Sequence, residues 1–343
     1  MSWQRLSMVS NSAICRGVLA PVVAIVMLCG HAKADLVINA TFDSSITSLP
    51  NAAAIEGAIN SAIGVLEHSI STSITVSVDF QNMSSGLGES QTTEYALSYF
   101  DYYNALKAAA HTPAQLTAIA SLGAPPTSES SGNPLNGGTT MVITSADGRA
   151  LGFNTPGATG PGGTFDGVIS LNTSLTNPPN APSGSTYSLM SVAMHELDEV
   201  LGIGGTGSTL GQGGTALGSL DLFRYSAPGV RSYTTSASAT SYFSIDGGNT
   251  VLSYFNQVAG ADYADWASDP IPAGFPVQVQ DAFGTPGTNP TLGPNELTAF
   301  NVVGYSLSAV PEPSSLMMLG SAVLFVSGYG WLRRKPLAGK TVA

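Results

Sequence analysis

The sequence predicts an α+β protein, with strands and helices through its first half and a loop-rich C-terminal half. Three observations carry this expectation. Apolar residues alternate at strand period over Leu36–Phe42 and Ile74–Phe80. They recur at helical spacing through Ile55, Ile59, Ala62, Ile63, Leu66 and Ile70. Eight glycines crowd the stretch from Gly202 to Gly218, beyond which the chain reads as irregular short strands.

The elements follow in order. Residues 1–34 are set apart as a secretory signal peptide: Arg5 and Arg16 precede an apolar run from Gly17 to Gly30, and Ala32-Lys33-Ala34 supplies small residues for cleavage before Asp35. The body, 35–308, divides into an upper half, 35–202, and a lower half, 203–308. Pro50 and Asn51 separate the first strand from the first helix. Helical spacing is expected over Thr93–Ala110 and Pro113–Leu122, the first crowded with Tyr95, Tyr99, Phe100, Tyr102 and Tyr103 as core filler. Pro125–Gly138 reads as a loop. Met141–Ile143 and Leu151–Phe153 read as a hairpin about Asp147-Gly148, and Asp166–Asn172 as a further strand. Thr186 can cap a helix to Leu201, with Gly202 ending it, and Pro294 suits the first turn of a last helix to Val303.

Composition excludes several roles. Both cysteines, Cys15 and Cys29, lie in the leader, so the body has no thiol and its fold rests on core burial. The body sets four basic residues, Lys107, Arg149, Arg224 and Arg231, against 21 acids, a net charge of −17. Such a surface repels nucleic acid and anionic lipid and suits cations, calcium among them. Gly202-Ile203-Gly204-Gly205-Thr206-Gly207 matches G-x-G-x-x-G, but it follows a helix where nucleotide binding needs a strand.

The segment 309–343 is an address. Val310-Pro311-Glu312-Pro313 precedes an apolar run, 316–332, long enough for a transmembrane helix, and Arg333-Arg334-Lys335 follows on the side expected to stay cytoplasmic. Pro-Glu-Pro, hydrophobic helix and basic end together resemble the PEP-CTERM sorting tail of Gram-negative bacteria. That resemblance implies an exosortase-type sorting enzyme as partner, transient membrane insertion by the C-terminal helix, and delivery to the cell surface or the exopolysaccharide matrix.

The chemistry concentrates in Met194-His195-Glu196-Leu197-Asp198-Glu199-Val200-Leu201-Gly202, one residue from the zinc-peptidase signature H-E-x-x-H. On a helix Met190, Ala193, Met194, Leu197, Val200 and Leu201 fill one apolar sector, while His195 and Glu199 stand one turn apart on an exposed face with Glu196 and Asp198 beside them. Such a face offers His195 and Glu199 as ligands to zinc or another divalent metal, and Glu196 as the base that takes a proton from water. The body has only His68, His111 and His195, which disfavours a tris-histidine site. A third ligand is sought among Asp221, Asp246, Asp262, Asp265 and Asp269, with Asp221 named first.

The stretches His195–Gly202, Asp221-Leu222-Phe223-Arg224-Tyr225-Ser226, Tyr242–Gly248, Asp265-Trp266 and Leu297–Tyr305 resemble secreted bacterial metzincin-like metalloproteases, a branch of the zincins. The resemblance implies an α+β zincin fold, a twisted mixed sheet with two or more helices and an active-site helix followed by a loop-rich half, together with a protein or peptide substrate, His195 as a zinc ligand, Glu196 as general base, and Glu199 in the place of the second histidine. The sequence departs from that pattern where Gly205 takes the place of a third histidine, and where no methionine occurs between Met194 and Met317 to form a turn beneath the metal. Two functions follow as expectations. One is a secreted metal-dependent endopeptidase using an H-E-x-x-E helix. The other is an inactive peptidase scaffold serving as a structural or binding component of the exopolysaccharide matrix.

Overall fold

The computed structural model describes residues 35–160, 162–177 and 183–308. The signal peptide expected at 1–34 and the hydrophobic helix expected at 316–332 lie outside the described residues. Among the described residues no helix is long and apolar enough to cross a membrane.

The chain opens with β1 (Val37–Phe42), a single helical turn α1 (Ser44–Thr47) and the long α2 (Ala52–Ser69). Ile55, Ile59, Ile63 and Leu66 of α2 are buried, the face that the sequence spacing predicts. β2 (Thr75–Asn82) follows, with Val76, Val78 and Phe80 fully enclosed, and then β3 (Gly88–Thr92). These strands join β8 (Gly167–Leu171) in a mixed sheet of order β1-β2-β8-β3. β1, β2 and β8 run parallel, and β3 closes the edge antiparallel to β8.

Between β3 and β8 the chain departs from the sequence-based expectation twice. Thr93–Ala110 is not one helix: β4 (Glu94–Ser98) pairs antiparallel with β5 (Thr140–Thr144), and only then does α3 (Tyr99–Ala109) begin. The Ser98 side chain decides the switch by accepting the Asp101 N–H at 3.0 Å, an N-cap that ends the strand. After α4 (Pro113–Ser121), the expected hairpin about Asp147-Gly148 is instead the short helix α5 (Ser145–Ala150). Thr144 caps it through the Asp147 N–H at 3.1 Å. A small hairpin, β6 (Ala158–Gly160) and β7 (Gly163–Phe165), leads into β8.

The paired β9 (Thr176–Asn177) and β10 (Tyr187–Ser188) precede α6 (Leu189–Val200), which carries the signature. Ser188 rather than Thr186 caps α6, because its hydroxyl is the one that accepts the Ser191 N–H, at 3.2 Å. The C-terminus is a Schellman motif. Gly202, at φ +101°, donates to the Glu199 carbonyl, and Ile203 donates to the Asp198 carbonyl at 3.0 Å. α6 packs on α2, β8 and β3. Two glycines set how close it comes: a Cβ on Gly167 of β8 would stand 2.5 Å from Val200, and one on Gly88 of β3 would stand 2.3 Å from a Glu196 oxygen.

The lower half holds a second antiparallel sheet of order β12-β11-β13-β14, built from β11 (Arg224–Ala227), β12 (Val230–Arg231), β13 (Tyr242–Phe243) and β14 (Ser253–Tyr254). Phe243, Phe255 and Trp266 stack beneath it, with ring centroids 5.4–6.1 Å apart. The guanidinium of Arg224, buried with them, lies 4.2 Å over Phe255, and burial lowers its pKa to about 10. α7 (Pro294–Val303) closes the fold, and Glu296 on it accepts the Trp266 indole N–H at 2.9 Å.

Candidate metal centre

The first turns of α6 hold the core through Leu189, Ala193, Met194 and Leu197, which turns His195, Glu196 and Glu199 towards the lower half. They do not stand on an exposed face as their pattern predicts. Glu196 is 5% exposed and Glu199 6%: β3 lies against Glu196 at Gly88 and against Glu199 at Ser90, and the loop after Gly202 reaches Glu199 at Gly205. Asp198 is sequestered completely, and burial, with the charge of Glu296 adding to it, holds its carboxyl well above the ordinary range.

Among the described residues one group of three donors emerges. His195 Nε2 stands 3.6 Å from Glu199 Oε1 and 3.6 Å from Asp265 Oδ2. Ligand atoms of all three lie within 4.8 Å of one another. The His195 Nδ1 faces the Val279 carbonyl at 3.0 Å, so Nδ1 carries a proton and Nε2 is the ring nitrogen left to face the two carboxylates. Glu199 is held from two sides: Ser90 of β3 donates to Oε2 at 2.6 Å and the Gly205 N–H donates to Oε1 at 3.1 Å.

Asp265 reaches the centre because its neighbour is fixed. Trp266 is clamped between the aromatic stack and Glu296, and its N–H donates to the Gln280 carbonyl at 2.8 Å. The Asp265 carbonyl accepts from Asn256 at 2.8 Å, and its Oδ1 accepts from the Gln280 amide at 3.0 Å. A cavity of about 620 Å³ opens over the group, lined also by Gly88, Val192, Glu196, Asp262, Val279 and Phe283.

Electrostatics favour a cation here. Burial raises the carboxyls of Glu196 and Asp265 well above the ordinary range, and the neighbouring Glu199 charge adds to both shifts. Burial likewise raises Glu199, against the opposing effect of the His195 charge. For His195 burial alone acts downward, yet Glu196, Glu199, the Val279 carbonyl and Asp262 together hold the imidazole above its usual pKa. Packing this many acids in one place is favourable when a dication neutralises them.

Asp221, the residue named first as third ligand, does a different job. It is fully buried, and its carboxylate accepts from Ser208 Oγ at 2.5 Å, Thr209 N at 3.0 Å and Gly218 N at 3.0 Å, pinning the glycine-rich loop. Asp265 meets His195 and Glu199 in its place. Asp246 organises its own turn by accepting from Thr250. Asp262 lines the cavity near Glu199. Ser90, Val279 and Gln280 were not singled out in the sequence, since nothing local distinguishes a serine on an edge strand, a backbone carbonyl or a glutamine in a loop.

Comparison with known proteins gives one match: the family model of the PEP-CTERM protein-sorting motif covers residues 309–335. No curated protein and no solved structure matches. Residues 309–335 thus carry the sorting motif of exported Gram-negative bacterial proteins, the tail recognised by an exosortase-type enzyme and indicative of secretion to the cell surface or the extracellular space.

Proposed function

We propose that this protein is an exported, surface- or matrix-targeted metal-dependent endopeptidase built on a zincin-type frame. The observation that carries the reading is the convergence of His195 Nε2, Glu199 Oε1 and Asp265 Oδ2 within 4.8 Å, beside the further acid Glu196 and beneath an open cavity. The order of parts supports the frame: a mixed sheet, an antiparallel edge strand at the cavity wall, and an H-E-x-x-E helix packed across it.

The donor set fits zinc or a similar divalent ion, with one imidazole of fixed tautomer and two carboxylates, whereas calcium takes six to eight oxygens. A bound ion supplies a Lewis acid that acidifies water and polarises an amide carbonyl. Glu196, whose carboxyl affinity for protons is raised, accepts the proton from water and can return it to the departing amine. β3, at the edge of its sheet, leaves backbone groups free to align an extended peptide.

The test is cleavage of a casein or peptide mixture by the wild type and by Glu196→Gln. The reading predicts that Glu196→Gln keeps its metal and loses activity on the order of a hundredfold or more. A wild type that holds no metal and cleaves nothing would leave the rival, a matrix component on a peptidase scaffold, as the better account.

A further inference from the structure

Gln280 is a neutral side chain pressed into the acidic centre, and half of its amide has no partner. The residue is fully buried. Its Nε2 lies 3.0 Å from Asp265 Oδ1 and 3.4 Å from His195 Nε2, while its Oε1, shielded from solvent, meets no hydrogen-bond donor. Leaving an amide oxygen desolvated and unpaired costs about 1–3 kcal/mol, which calls for a state in which that oxygen is used.

The spacing identifies the state. Neighbouring donors bonded to one five-coordinate ion at about 2.0–2.1 Å stand about 2.8–3.6 Å apart, which leaves a fifth position open beside four protein ligands. His195 Nε2 keeps 3.6 Å to Glu199 Oε1, 3.6 Å to Asp265 Oδ2 and 3.4 Å to the Gln280 amide nitrogen. The Gln280 amide therefore stands at ligand spacing from the imidazole, as the two carboxylates do. We infer that Gln280 is a fourth protein ligand of the metal, turning its amide half a revolution so that Oε1, in place of Nε2, faces the ion. The inference rests on the metal-binding reading above and adds a residue to it.

Three features make the turn reasonable. Without a cation the N–H of Gln280 is the right group to face Asp265, since it donates to a carboxylate oxygen; with a cation between them an oxygen is the right group. Charge points the same way. A dication with Glu199 and Asp265 is already neutral, so a fourth carboxylate would bury a surplus negative charge, whereas an amide adds a donor and none. Gly204 supplies the room: a Cβ there would lie 2.0 Å from the amide nitrogen. Gln280 approaches from the protein interior, outside the lining of the cavity. The cavity side of the ion is left for water and for a substrate carbonyl, itself an amide oxygen like that of Gln280.

The experiment is a crystal structure of the zinc-loaded wild-type protein, together with zinc affinities of wild type and Gln280→Ala measured against a chromophoric chelator. The inference predicts Oε1 within bonding distance of the zinc, about 2.0–2.3 Å, and at least a tenfold loss of affinity in Gln280→Ala. Zinc bound by His195, Glu199 and Asp265 with the Gln280 amide still on Asp265 overturns the inference and leaves the metal site standing, whatever the affinity of the variant. A wild type that binds no zinc overturns both. The wild-type structure decides even if Gln280→Ala fails to fold.

Discussion

Gly205 lies against the Glu199 carboxylate, and the smallest possible change there should disable the site. A Cβ built on Gly205 lies 2.4 Å from Glu199 Oε1 and 3.0 Å from the Asp262 carboxyl carbon. Ordinary contact begins near 3.4 Å, so in Gly205→Ala the Glu199 oxygen must retreat by about 1 Å. The displaced oxygen is the one that faces His195 Nε2, and a metal–oxygen bond of about 2.0–2.2 Å does not tolerate a displacement of half its length, so the change weakens Glu199 as a ligand. We expect zinc affinity to fall on the order of tenfold to a hundredfold, about 1.4–2.7 kcal/mol, with little change in metal-free stability, because the end of a flexible side chain absorbs the shift. Chelator competition measures the affinity and a thermal melt checks the fold, with Gly64→Ala, whose Cβ meets nothing within 4 Å, as the control. Affinity within about twofold of wild type in a folded Gly205→Ala protein would refute the reasoning.

Further outcomes follow from the same geometry. Raised carboxyl pKa values at Glu196, Asp198, Glu199 and Asp265 mean that the folded state holds more protons than the unfolded one above the ordinary carboxyl range, so stability falls as pH rises through that window. For Asp281, which burial pushes up to about 7, the window runs from 3.8 to neutrality, and the raised His195 acts in the same direction. The metal-free protein should therefore melt higher at about pH 5 than at about pH 8, with zinc raising the melting temperature more at the higher pH; a metal-free melting temperature that climbs with pH would count against the account. Asp221→Ala should cost about 3 kcal/mol in a denaturant titration through its lost hydrogen bonds yet leave metal content unchanged, and a large loss of metal in a folded variant would return Asp221 to the site.

Periodicity made much of the upper half legible before any coordinates. The spacing of Ile55 to Ile70 and the alternation of Ile74 to Phe80 report burial directly, so α2 and β2 fall within a few residues of expectation. Glu94–Ser98 reads as helix because Glu94, Ala96 and Leu97 are helix formers, and the deciding event, pairing with Thr140–Thr144, lies 42 to 50 residues away in sequence. The expected hairpin at Asp147 failed for a similar reason: a capped helix and a turn begin with the same residue types.

At the centre, the four-residue spacing of His195 and Glu199 is a property of the helix, and reading it needed no fold. Asp265 could be placed on a short roster but not chosen, because what selects it is the clamp on Trp266 by Phe243, Phe255 and Glu296. The burial of Glu196 and Glu199 was illegible for the same cause: the helix alone reads as solvated, and β3 and the loop at Gly205 cover it only in the fold.

The most direct measurement is the metal content of the purified protein by elemental analysis, wild type beside His195→Ala and Asp265→Ala, with folding verified for each. The account predicts one divalent ion per wild-type chain and little or none in either variant. A wild type free of divalent metal, or a full complement retained in His195→Ala, would contradict it.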